Sequence, residues 1–119
     1  MTLKKGEIIW VDYENRHHTK LKHPAVIWSD EVDEKANFFG VMLTHTEPNE
    51  RFDNVLMTEE HFEIGHDVVF SNTHFVNQLF IKFQEWGPFY KRGSLTKSGI
   101  EFIDNNLTQT KPISFKNYT

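Results

Sequence analysis

The chain contains no cysteine, and this absence removes several kinds of chemistry. Disulfide bonds, thiolate nucleophiles and metal sites built on cysteine are all excluded. Long hydrophobic runs are missing too, since nowhere in the sequence do about 18 apolar residues follow one another. The first seven residues also lack the apolar stretch of a signal peptide. We therefore expect a cytoplasmic protein without a membrane partner.

Positive charge is in short supply, because 17 acidic residues outnumber 13 basic ones and give a formal net charge of −4. The field of the whole molecule does not attract nucleic acid, so an RNA site would have to be a local basic patch. At 119 residues the chain is long enough for one hydrophobic core and too short for two ordinary domains. We expect a single domain over residues 1–119.

Aromatic side chains are abundant, with 11 Phe, 3 Trp and 3 Tyr, and they favour strands in a thin sheet or a small barrel. Apolar runs and alternating patterns predict several strands. These strands lie at residues 7–13, 25–29, 37–44, 52–57 and 74–86, with a further short one at 68–70. Pro24 is acceptable because it stands at the start of its strand. The charged residues 14–22 and 31–35 predict loops.

A helix is predicted near the C-terminus, at about residues 97–107. Ile100, Ile103 and Leu107 recur on one helical face, and either Thr96 or Ser98 can cap the N-terminus. The tail, residues 108–119, would add an edge strand around Ile113 or stay mobile. Strands first and one helix last predict a mostly β fold, a Src-homology-3-like barrel over about residues 6–86 followed by the helix.

Several short motifs are arranged as in a known toxin family. Residues 6–13 (GEIIWVDY), a polar loop and residues 23–29 (HPAVIWS) resemble the opening of MazF/PemK toxins in order and spacing. Residues 41–44 (VMLT) resemble the family's third-strand segment, which ends in threonine, and residues 76–79 (VNQL) resemble a later strand. Residues 91–95 (KRGSL) then lead into the final helix, as in the family. This resemblance implies a barrel of the MazF/PemK/CcdB type.

The resemblance, which covers about residues 6–107, also implies an activity. It implies the toxin of a type II toxin–antitoxin system: a homodimeric, metal-independent endoribonuclease that cuts single-stranded RNA by 2′-hydroxyl attack, uses no cofactor and is neutralised by a cognate antitoxin. In that family an arginine immediately before the second-strand proline works with the third-strand threonine at the scissile phosphate. Here His23 stands in place of the arginine and Thr44 matches the threonine. These two residues are the candidate catalytic pair.

A basic cluster precedes His23 and consists of Arg16, His17, His18, Lys20 and Lys22. Cations that grip phosphates and imidazoles that stack on bases are a common way to hold single-stranded RNA. Metal-free cleavage needs a base, a cation and an acid, and an imidazole with a reference pKa of about 6.5 can fill any of these roles. We expect RNA to contact this loop.

Other interpretations stay open. Adjacent cations and histidines ordinarily form a solvated loop, and Trp10 and Trp28 are ordinarily core residues. The alternative is a non-enzymatic toxin or binding protein of the same fold, either a CcdB-like gyrase poison or a catalytically silent relative. CcdB-type toxins depend on a C-terminal Trp-Gly-Ile ending, however, and residues 116–119 read KNYT. The histidine spacing predicts no metal site, and strand alternation places His45 on the face opposite Thr44.

Overall fold

β-Strands make up most of the described chain, with one helix near its C-terminal end. The computed structural model describes residues 2–14, 20–33, 37–45, 53–63, 73–82 and 89–114, without the side chains of residues 11–14, 20–23 and 82. The strands of these ranges are β1 (Thr2–Lys4), β2 (Glu7–Glu14), β3 (Lys20–Ile27), β4 (Glu31–Asp33), β5 (Phe38–Thr44), β6 (Asn54–Leu56), β7 (His74–Lys82), β8 (Phe89–Ser94) and β9 (Ile113–Ser114). A 3₁₀ turn covers Glu59–His61 and helix α1 covers Lys97–Asn106.

The main sheet has the strand order β6-β7-β5-β3-β2-β8, with all of these neighbours antiparallel. β9 pairs with β7 in parallel, and β1 and β4 form a separate two-stranded sheet. Within the described ranges the order does not return from β8 to β6, so the sheet is open and the predicted closed barrel is wrong. The 3₁₀ turn interrupts the extended chain after β6, and an isolated bridge between Phe62 and Leu95 links that segment to the end of β8.

Most predicted strands are present, with shifted boundaries. β2, β5 and β7 begin within one residue of their predicted starts. β3 begins at Lys20, inside the predicted loop, because its first half pairs with the end of β2. Residues 31–33 were expected in a loop but form β4 against β1. β8 lies beyond the predicted sheet boundary at residue 86, and the predicted strand at 68–70 lies outside the described residues.

Hydrophobic side chains are buried on both faces of the sheet. Ile9, Ala25 and Met42 belong to one cluster, whereas their neighbours along the chain, Ile8 and Val26, belong to the other. Strands buried on both faces need continuous apolar sequence, which explains the runs in β3 and β5. Helix α1 packs against the second cluster, where its Ile103 is fully buried.

Helix α1 confirms the predicted helix closely. Thr96 is the N-cap, and its hydroxyl accepts a hydrogen bond from the Gly99 amide at 3.1 Å. Ile103 is buried, and Ile100 and Leu107 pack partly buried against the same cluster, as the one-face spacing predicted. Apart from this helix the described ranges contain only strands, turns and loops, and no helix there is long and apolar enough to cross a membrane.

The segment after α1 is held on β7 by a pair of polar side chains. Asn77 Nδ2 donates to the Thr108 hydroxyl at 2.9 Å, and the Thr108 amide donates to Asn77 Oδ1 at 2.8 Å. Gln78 Nε2 donates to the Lys111 carbonyl at 2.8 Å. These bonds position Ile113 for its pairing with Phe80, so the tail forms the short edge strand that was one of its two predicted states.

Candidate functional site

The two predicted catalytic residues lie just beyond the observed pairing of two neighbouring strands, β3 and β5. β3 and β5 pair through Ala25 with Met42 and Val26 with Val41, so each step back along β3 is one step forward along β5. Continued by two residues beyond the last observed pair, Ala25 with Met42, this register would set residue 24 opposite residue 43 and His23 opposite Thr44. Both positions are strand residues, since β3 extends to Lys20 through its pairing with β2 and β5 extends to Thr44 through its pairing with β7. The side chain of His23 lies outside the described part.

Thr44 is the last residue of β5 and pairs with His74 of β7. Only 8% of its surface is exposed, whereas the next residue, His45, is exposed, as strand alternation predicts. The pairing of β5 with β7 shifts near this point. Val41 faces Leu79 and Leu43 faces Phe75, so Met42 alone stands opposite residues 76–78. Such bulges bend a strand and redirect its side chains, and they are common beside active sites.

The predicted basic loop is only partly within the described structure. Arg16, His17 and His18 lie outside it. Lys20 and Lys22 are backbone members of β3 rather than loop residues, and they pair with Glu14 and Asp12 of β2, which is a correction to the predicted loop. The backbone of this half of the predicted loop therefore belongs to the sheet.

Two aromatic residues and a proline lie side by side across three strands, an arrangement that the sequence did not reveal. Trp10 of β2 pairs with Tyr90 of β8 on one side and with Pro24 of β3 on the other. Directly paired residues present their side chains on the same face. Trp28, by contrast, packs partly buried against the second hydrophobic cluster, in accord with its interpretation as a core residue.

A depression lined by acidic residues lies beside the 3₁₀ turn. Thr58, Phe62 and Thr96 line it together with three glutamates, at positions 59, 60 and 63, around an open depression of about 760 Å³. Carboxylates repel phosphate, so this depression is the wrong surface for RNA. Nor does it form a metal centre, because no group of three or more His, Cys, Asp or Glu residues within the described ranges is arranged to hold an ion.

His61 lies beside this depression and is buried under α1. Its ring stacks on Phe102 with centroids 4.3 Å apart, and its Nδ1 accepts a hydrogen bond from the Thr58 amide at 3.0 Å. Burial lowers the pKa of His61, and the nearby Glu60 carboxylate opposes this shift. A neutral imidazole bonded in this way joins the turn to the helix, which is a structural role.

No protein-family model, curated protein or solved structure matches the chain. The resemblance to MazF/PemK toxins thus rests on the short motifs in the sequence. Two of these motifs have structural roles here. Asn77 and Gln78 hold the C-terminal segment, and Gly93 of the KRGSL motif pairs with Ile8 beside a bulge.

Proposed function

We propose that the protein is a metal-independent endoribonuclease of the MazF/PemK type, acting on single-stranded RNA at the end of the β3–β5 strand pair. The observation that supports this proposal is the antiparallel β3–β5 pairing, whose register, if continued two residues beyond its last pair Ala25–Met42, would set His23 opposite Thr44. A basic and a hydroxyl side chain at neighbouring positions would suit a site for a scissile phosphate.

The chemistry requires three proton or charge movements. A base removes the 2′-hydroxyl proton, the resulting oxygen attacks phosphorus, and the 5′-oxygen leaves with a proton from an acid, giving a 2′,3′-cyclic phosphate. In this proposal the His23 imidazole acts either as the base or, when protonated, as the cation beside the phosphorane. The Thr44 hydroxyl donates a hydrogen bond to a non-bridging phosphate oxygen.

The toxin–antitoxin assignment belongs to the same proposal. The mostly β architecture with one C-terminal helix agrees with the family resemblance, whereas the open sheet of the described ranges does not match its closed barrel. The family implies a homodimer that a cognate antitoxin covers at its RNA groove. Function resides in the site rather than in the fold, so the RNA chemistry has to be tested directly.

A catalytically silent relative that binds RNA or an antitoxin is the second candidate. One observation favours it: only 8% of the Thr44 surface is exposed, so its hydroxyl offers little surface to a substrate. The absence of arginine at position 23 points the same way. A CcdB-like gyrase poison has less support, since residues 116–119 do not match the ending on which such toxins depend.

Cleavage of total RNA in the presence of a chelator tests the proposal. We expect the parent to cut and His23→Ala to lose about 10² to 10⁴-fold in rate, the usual cost of losing one positioned acid–base or charge-stabilising group. His45→Ala is the matched control, because His45 is an exposed histidine directly after Thr44. A folded His23→Ala protein that cuts at the parental rate would remove His23 from the mechanism.

His23→Arg then separates the two roles of the imidazole. Arginine does not titrate in the working range, so this variant loses any pH dependence that His23 causes. If His23 is the cation, His23→Arg keeps or raises the rate. If it is the base, the rate disappears. A parent that leaves RNA intact with and without chelator would favour the silent relative.

A further inference from the structure

A buried histidine stands directly across the sheet from Thr44. His74 is the first residue of β7, and its antiparallel pairing with Thr44 at the end of β5 is an observed strand pair. His74 is 6% exposed and Thr44 is 8% exposed, although both side chains are polar. Directly paired residues stand on the same face of a sheet, with their Cβ atoms about 4.5 to 5.5 Å apart. An imidazole and a hydroxyl at this spacing are within reach of a hydrogen bond.

The two side chains share the face of the sheet that carries the first hydrophobic cluster. Leu43 and Phe75 pair with each other one residue away, and both belong to the second cluster. Because successive side chains alternate, Thr44 and His74 point to the other face, where Met42 packs in the first cluster. Polar side chains buried beside an apolar cluster are stabilised by hydrogen bonds. The register offers each member of the pair the other as a partner.

A hydroxyl that binds a phosphate oxygen has to direct its only hydrogen at that oxygen. The threonine oxygen has one hydrogen to donate and two lone pairs that accept, and a neutral imidazole always carries one N–H. An N–H of His74 that donates to Thr44 Oγ leaves the hydroxyl hydrogen for the phosphate, and hydrogen bonds linked in this way strengthen one another. His74 itself offers too little surface to bind RNA, so it would act through Thr44.

We propose that His74 is a positioning residue for Thr44, whose hydroxyl it orients towards a phosphate oxygen of the RNA by donating an imidazole N–H to Thr44 Oγ. The inference rests on the proposed function, in which Thr44 makes the phosphate contact. It adds a residue to that site, because the VNQL motif of the family resemblance begins at residue 76 and does not include His74.

Initial rates of total-RNA cleavage with chelator, measured on variants of position 74, test the proposal. His74→Ala should cut about 10- to 100-fold more slowly, because a misplaced group at a reacting centre costs up to about 10²-fold. His74→Gln keeps an N–H donor and should recover most of the rate. His61→Gln is the matched control, since His61 is a histidine of similar burial, 5% exposed, in the 3₁₀ turn. It should cut at the parental rate.

A double-mutant cycle shows whether His74 acts through Thr44. Thr44→Val removes the hydroxyl and keeps a β-branched side chain of similar size. In the Thr44→Val background, His74→Ala should cause no further loss of rate, because the group that His74 orients is gone. A histidine with a merely structural role would lower the rate by the same factor in both backgrounds. Circular dichroism checks that each variant is folded, and His74→Phe, a ring without a donor, replaces an unfolded His74→Ala.

The outcomes distinguish failure of the inference from failure of the proposed function. If the parent cuts RNA and the folded donor-free variant cuts at the parental rate, the positioning role is wrong and the nuclease proposal stands. If His74→Gln is as slow as His74→Ala, or if the loss is the same in the Thr44→Val background, the positioning role is wrong as well. If the parent leaves RNA intact with and without chelator, both proposals are wrong.

Discussion

At the scale of single residues, His61 shows how burial selects a protonation state. Its Nδ1 accepts the Thr58 amide hydrogen, which requires an unprotonated nitrogen. Its ring is stacked on Phe102, and around it Gly99 and Phe102 of α1 are uncharged while Glu60 supplies the nearest charge. Lys97, Glu101 and Asp104 of α1 are exposed. Desolvation therefore prevails over the carboxylate and lowers the pKa of His61.

This lowered pKa predicts a loss of stability in mild acid. The unfolded chain binds a proton at His61 near pH 6.5, whereas the folded protein takes it up only at lower pH, so unfolding becomes easier as pH falls below about 6.5. The stabilising contribution of the neutral His61 is fully present above about pH 6.5. We expect the urea midpoint of the parent to fall between neutral pH and pH 5 by more than that of His61→Gln. Equal decreases of the urea midpoint in the parent and in His61→Gln would contradict this role. His45→Ala, which changes an exposed histidine, is the control.

At the scale of elements, helix α1 is docked on the 3₁₀ turn by hydrogen bonds to main-chain carbonyls. The Thr96 amide donates to the His61 carbonyl at 2.9 Å, and the Thr96 hydroxyl donates to the Glu60 carbonyl at 2.8 Å. Gly99 lies against the same His61 carbonyl, and a Cβ added there would collide with its oxygen. Because the obstacle is backbone, no side chain can rotate away to make room.

Gly99→Ala should therefore destabilise the protein although alanine favours helices. The helix propensity gain is about 1 kcal/mol at most, while overpacking against a rigid neighbour typically costs about 1 to 3 kcal/mol. Ser98→Ala is the control, since Ser98 is an exposed residue of the same helical turn. Urea unfolding of both variants measures the difference. A Gly99→Ala protein as stable as the parent would mean that the helix docks more loosely.

At the scale of the whole molecule, the ends of the sheet bear on assembly. β6 and β8 end the strand order in the described ranges, and edge strands of this kind pair readily with other chains unless something covers them. Together with the family resemblance, these edges favour a twofold partner. We expect light scattering to give about 28.2 kDa, twice the 14.1 kDa of one chain, with dissociation on dilution. A constant 14.1 kDa at all concentrations would contradict the dimer.

Local sequence patterns were sufficient for the elements whose signal is local. The run at residues 37–44 predicted β5, and the spacing of Ile100, Ile103 and Leu107 predicted α1, because burial on one or both faces leaves a regular apolar pattern. For the candidate site, the family motifs singled out His23 and Thr44. Sequence alone could not show that the two strands carrying these positions are neighbours in the sheet.

What the sequence determined was therefore a cysteine-free, acidic chain with several buried strands and one late helix. The tertiary structure decided the features that depend on pairing between distant residues. β1 and β4 are only three residues long each, which is too short for a sequence pattern to identify either of them as a strand. Tyr90 joins Trp10 and Pro24 only through strand pairing, and His61 meets Phe102 only through the docking of α1. A residue's neighbours across a sheet are set by register, and register is a property of the folded chain.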